Sequence, residues 1–130
     1  QEQSLQEALL APHINYASAV YPLLDAGVEI KGMAHITGGG LLENIPRILP
    51  KGLDVEFETK SWPTLPVFSS IQSIGQINKN EMFRTFNMGI GMIIILNKSL
   101  VKEAKTALSR LTTSYEIGKV VPGNMKVHIL

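Results

Sequence analysis

The sequence predicts an α+β fold, a mixed β-sheet with helices packed mainly on one face. Three observations carry this. Leu53 to Phe57 alternates apolar and acidic residues with the period of two that marks a half-buried strand. Gly91 to Leu96 is an apolar run of strand length. Ser99 to Leu111 sets Leu100, Ala104, Ala107, Leu108 and Leu111 on one helical face and Lys98, Lys102, Lys105 and Arg110 outward. Helical and extended segments interleave along 130 residues, enough for one core, and the connections are too short for a second domain.

Each element has its own signal. Ser4 to Leu10 predicts a short helix stopped by Pro12. Tyr16 to Leu24 predicts a helix with Tyr16, Val20, Leu23 and Leu24 on one face, interrupted by Pro22 and ended by Gly27. Lys31 to Ile36 reads as a strand, Thr37 to Gly40 as a turn, and Leu41 to Leu49 as a helix despite Pro46. In Leu53 to Phe57, Leu53, Val55 and Phe57 point one way and Asp54 and Glu56 the other. Pro66 to Ile77 reads as a helix with Pro66 in its first turn, and Asn80 to Phe86 as a second, shorter one. Tyr115 to Val121 and Met125 to Leu130 are closing strands around the turn Pro122-Gly123.

Composition narrows the function classes. Hydrophobic residues make up 45% and charged residues 18%, the balance of a globular chain. A net charge of +1 predicts no nucleic-acid partner and no attraction to an acidic membrane. The longest apolar stretch, Met92 to Leu96, is far short of a membrane span. The start, Gln1 to Ser4, has neither the basic nor the apolar region of a secretion signal. There are no cysteines, which removes disulfides, zinc-thiolate sites and a thiol nucleophile and fits the cytoplasm. No metal ligand set stands out.

Two segments carry candidate chemistry. In the first, a strand runs into Thr37-Gly38-Gly39-Gly40 and then a helix. Glycine permits positive φ and close backbone approach, and N–H groups at a helix start favour an anion, so a phosphate on Gly38 to Gly40 stands beside the plainer reading of a tight turn. The segment lacks the Gly-Lys-Ser/Thr of a nucleotide-binding P-loop and is not a dinucleotide fingerprint. His35 ends the strand beside this loop, a place for a functional imidazole as well as for a structural one. Asn44 and Arg47 follow in the helix, where Arg47 is within reach of a phosphate or is simply solvated, and Glu43 complements the helix dipole. The second segment is Asn80 to Met92. Met82, Phe83 and Phe86 read as core, and Glu81 with Arg84 as a surface pair. Asn87 sits at a helix-to-strand junction where its amide caps the helix or holds a ligand, and Gly89 and Gly91 let the backbone approach a strand or a substrate.

Taken together these segments resemble the C-terminal half of the aminoimidazole ribonucleotide synthases, also called phosphoribosylformylglycinamidine cyclo-ligases. The resemblance rests on Gly32-Met33-Ala34-His35-Ile36-Thr37-Gly38-Gly39-Gly40, Glu43-Asn44-Ile45-Pro46-Arg47 and Phe86-Asn87-Met88-Gly89-Ile90-Gly91-Met92, in that order. Leu9-Leu10-Ala11-Pro12 with Tyr16, then Trp62, Pro66, Phe68 and Ile117-Gly118-Lys119-Val120, extend it over nearly the whole chain. His13 departs from the pattern, where a threonine is more usual.

The resemblance implies an α/β sandwich of that family's C-terminal type, filling residues 1–130, with an N-terminal ATP-binding and dimerisation domain outside this chain. It implies an ATP- and magnesium-dependent ring closure of formylglycinamidine ribonucleotide to aminoimidazole ribonucleotide in purine biosynthesis. The full-length enzyme is expected to be a cytoplasmic homodimer, and this domain alone to be inactive. Within that frame His35 is the expected catalytic residue, with Thr37, Gly38, Gly39, Gly40, Asn44, Arg47, Arg84 and Asn87 as substrate or phosphate contacts. ATP and magnesium are expected mainly on the N-terminal domain. The related formylglycinamidine ribonucleotide synthases and selenophosphate synthetases share the two-domain layout, and the paired motifs argue against them. A non-catalytic phosphate-ligand module is the remaining alternative.

Overall fold

A computed structural model describes residues 4–130, so that Gln1 to Gln3, which belong to the segment read for a secretion signal, lie outside the described residues. The chain folds as α1 (Leu5–Leu9), α2 (Ala17–Asp25), β1 (Ile30–His35), α3 (Gly40–Asn44), β2 (Leu53–Phe57), α4 (Pro66–Gly75), α5 (Lys79–Thr85), β3 (Met92–Leu96), α6 (Val101–Leu108), β4 (Gly118–Pro122) and β5 (Val127–Ile129). The fold is α+β, and its strands divide between two sheets. β1 pairs antiparallel with β3, while β2 lies between antiparallel β4 and parallel β5.

The β1–β3 register places the site. His35 lies opposite Met92 and Ala34 opposite Ile93, so the end of β1 meets the start of β3. The glycine turn that follows β1 and the Asn87 turn that precedes β3 are thereby neighbours. Ile36 N–H donates to the Gly91 carbonyl at 2.8 Å and extends this pairing one step past the strand.

The main core lies beneath. Ile36, Leu41, Ile45 and Met82 are fully buried in it, and Phe57, Trp62, Phe83 and Ile93 pack with them. A smaller core joins α2 to α6 through Ala19, Leu23, Ala104 and Leu108.

Local chemistry explains where elements stop short of the sequence expectation. The helix expected over Leu41 to Leu49 ends at Asn44, and a 3₁₀ turn, Ile45–Arg47, takes over where Pro46 has no N–H to continue the ladder. α6 ends at Leu108, which leaves Leu111 off the helix and exposed, and Leu24 at the end of α2 is likewise exposed. Ile93 is the buried residue of β3; its neighbours are only half-buried. The two closing strands do not pair with each other across Pro122-Gly123 but flank β2 on opposite sides.

Asp54 organises that arrangement. Although the alternation of β2 points it away from the core, it is buried, and its carboxylate accepts from the N–H of Asn124 at 2.5 Å and of Lys126 at 2.8 Å and pairs with His128 Nε2 at 2.7 Å. These contacts hold its carboxyl at about 2, below its ordinary 3.8, with His128 the largest cause and the Lys126 N–H next.

Candidate functional site

A cleft of about 410 Å³ opens where the two motif segments meet, lined by His13, His35, Ile36, Thr37, Phe68, Thr85, Phe86 and Asn87. Its polar groups are imidazole, hydroxyl and amide, and its apolar wall is built from two aromatic rings, Phe68 and Phe86, 5.8 Å apart. An open cleft thus sets a few polar groups beside an apolar wall.

The glycine turn forms one rim. Gly39 has φ 98° and Gly40 φ 54°, backbone conformations that favour glycine. Gly40 is buried, and a Cβ there would collide with the carbonyls of Phe83 and Phe86, so the missing side chain is what lets the first motif seat on the second. Gly40 N–H closes the turn by donating to Thr37 O at 3.0 Å, and the Gly38 and Gly39 N–H groups make no backbone hydrogen bond among the described residues. Asn44 is buried and its Nδ2 donates to the carbonyls of Gly40 (2.8 Å), Thr37 (3.3 Å) and Gly38 (3.3 Å). A buried amide must find such partners, and here they are the loop itself.

The Asn87 turn forms the opposite rim. Asn87 Oδ1 accepts from Gly89 N–H and its carbonyl from Ile90 N–H, both at 2.9 Å. The side chain caps its own turn, not α5, and its Nδ2 makes no hydrogen bond among the described residues. Met88 sits at φ 51° within this turn. Gly91 admits the Tyr16 phenol, whose oxygen occupies the space a Cβ would need. Burial pushes that phenol up from its ordinary value.

The structure thus brings His35, Thr37 and Asn87 to one cleft and places Gly38, Gly39, Gly40 and Asn44 behind Thr37. Arg47 and Arg84 lie outside the lining, and both are exposed. Arg84 Nε lies 3.8 Å from Glu43 Oε1, an exposed pairing of small energetic value. Glu43 itself stands against Gly39, so a carboxylate lies at the turn where an anion was expected. Sequence reasoning did not place His13, Phe68 or Thr85 in the site. The departure at position 13 was the one signal for His13.

Comparison with known proteins settles the family. Residues 1–130 match the family described as AIR synthase related protein, C-terminal domain. The chain belongs to this family. Among its relatives, this AIR synthase related domain is 47% identical to the phosphoribosylformylglycinamidine cyclo-ligase of Exiguobacterium sp. over 92% of the chain and 35% of that protein. The enzymes of the same name from Staphylococcus epidermidis and Crocosphaera subtropica are 45% and 43% identical, over 98% and 96% of the chain and 38% and 37% of theirs. The domain therefore spans little more than a third of the relatives it matches. In fold it is similar to the crystal structure of E. coli HypE, a hydrogenase maturation protein, with a TM-score of 0.67 at 15% identity over 95% of the chain and 40% of that structure. No helix among the described residues is long and apolar enough to cross a membrane.

Proposed function

We propose that this chain is the C-terminal domain of a cytoplasmic, homodimeric phosphoribosylformylglycinamidine cyclo-ligase and forms one wall of its active site. The observation that carries the proposal is the convergence of His35, Thr37 and Asn87 on one cleft, in a chain that shares 43–47% identity with enzymes of that name. In the reaction, the formyl oxygen of formylglycinamidine ribonucleotide takes a phosphoryl group from ATP and ADP departs. An internal nitrogen then attacks the formyl carbon and loses a proton, and phosphate leaves with that oxygen. Such chemistry depends on positioned donors more than on a protein nucleophile.

The cleft's own residues fit the substrate and not the metal. Its lining contains no carboxylate, whereas magnesium is held through carboxylates and substrate phosphates. ATP and magnesium are therefore assigned to the N-terminal domain, outside this chain. His35 donates to the formyl or amide region of the substrate and is the catalytic residue of this wall. The Asn87 Nδ2 and Thr37 hydroxyl orient the substrate, and the aromatic pair gives it an apolar face to lie against. The ribose phosphate is assigned to the Gly38 and Gly39 N–H groups; the Glu43 carboxylate against Gly39 opposes it, and Arg84 and Arg47 stand outside the cleft. Gly40 and Asn44 hold the turn in shape.

An assay of the full-length polypeptide tests this reading. It is expected to form aminoimidazole ribonucleotide, ADP and phosphate in equal amounts, while the 130-residue chain alone forms none. Full turnover by the isolated chain would overturn the division of labour between domains.

A further inference from the structure

His13 and His35 meet edge-on in the cleft, their ring centroids 4.6 Å apart at 66°, joined by a hydrogen bond between the two Nε2 atoms. Tyr16 stands beside both rings, 5.8 Å from His13 and 6.2 Å from His35, with its hydroxyl lodged over Gly91. A bond between two imidazole nitrogens contains one proton, so one ring donates and the other accepts, and the two tautomers are bound to be complementary. With its Nε2 engaged, His35 has only Nδ1 to offer a ligand.

We infer that His13 is a positioning residue for the ring closure: its Nε2–H donates to His35 Nε2, which holds the His35 proton on Nδ1 and turns that N–H into the donor the substrate oxygen meets. The inference rests on the reading of His35 given under Proposed function. The same logic operates wherever the partner of one ring nitrogen decides what the other can do. His13 is exposed and belongs to neither core cluster, so its removal is expected to leave the domain folded. Tyr16 supplies the edge contact that keeps the two rings from swinging apart.

The test uses the full-length protein labelled with 15N-histidine, with His35 signals assigned from a His35→Gln variant. In the native protein the His35 imidazole is expected to show one protonated nitrogen, Nδ1. In His13→Ala it is expected to show a mixture of tautomers, with kcat down about tenfold, KM nearly unchanged and melting temperature unaltered. His13→Gln, whose amide nitrogen also donates, is expected to restore Nδ1 protonation and most of kcat. An unchanged His35 tautomer in His13→Ala overturns the inference, whatever happens to kcat, and so does native kcat with an altered tautomer. If the native protein makes no aminoimidazole ribonucleotide, the proposed function fails, and the tautomer measurement still reports whether His13 sets the state of His35.

Discussion

Trp62 Nε1–H donates to the carbonyl of Met88 at 3.0 Å, in the buried interior. The bond links the segment before α4 to the turn that carries Asn87, and it fixes Met88 in its left-handed conformation. Trp62→Phe keeps the aromatic packing against Phe83 and strands the Met88 carbonyl. A loss of about 1–3 kcal/mol is expected, the cost of an unsatisfied buried acceptor, measurable by chemical denaturation. An unchanged midpoint would mean that the turn stands without the indole.

The glycine turn predicts opposite outcomes at nearby positions. A Cβ at Gly38 meets nothing within 4 Å, whereas at Gly40 it enters the Phe83 and Phe86 carbonyls at a positive φ. Gly40→Ala is expected to cost about 2 kcal/mol or more, from strain and overpacking together. Gly38→Ala is expected to leave the melting temperature nearly unchanged and to raise KM for the substrate. Equal stability of the two variants would refute the seating of one motif on the other.

Asp54 predicts an acid-labile sheet. Its folded-state pKa, about 2, lies below its ordinary 3.8, so the folded state favours the ionised form. The stability this contributes is present above pH 3.8 and is lost progressively as pH falls through 3.8 toward 2. Asp54→Asn is expected to flatten the pH dependence of unfolding in that window. Gly123 belongs to the same knot, because a Cβ there would strike the Asp54 carboxyl, and Gly123→Ala is expected to destabilise even at neutral pH. An acid-unfolding curve identical in native and Asp54→Asn protein would remove Asp54 from this role.

Much of this was legible in the sequence. β2 showed its alternation, β3 its apolar run and α4 its Pro66 start, because short-range patterning sets those elements. The convergence of His35, Thr37 and Asn87 was foreshadowed only by their presence in motifs that end and begin strands; the β1–β3 register that joins them is a long-range pairing. Asn44 read as a donor to ligand because its amide is polar, but burial obliges that amide to serve the loop. The sides taken by β4 and β5 depend on Asp54 meeting residues 70 and 72 positions away, which no local turn signal encodes. His13 reaches His35 across α2, a contact that depends on where Tyr16 fits over Gly91.

In the proposed cyclo-ligase site this chain supplies one wall, with His35 in contact with the substrate. The most direct measurement is kcat for aminoimidazole ribonucleotide formation by full-length His35→Asn, alongside its melting temperature. A loss of about a hundredfold in kcat is expected, the scale of one lost donor to developing charge, with stability unchanged. Turnover within about threefold of native, far smaller than the loss of a transition-state donor, would contradict it and leave His35 a structural residue.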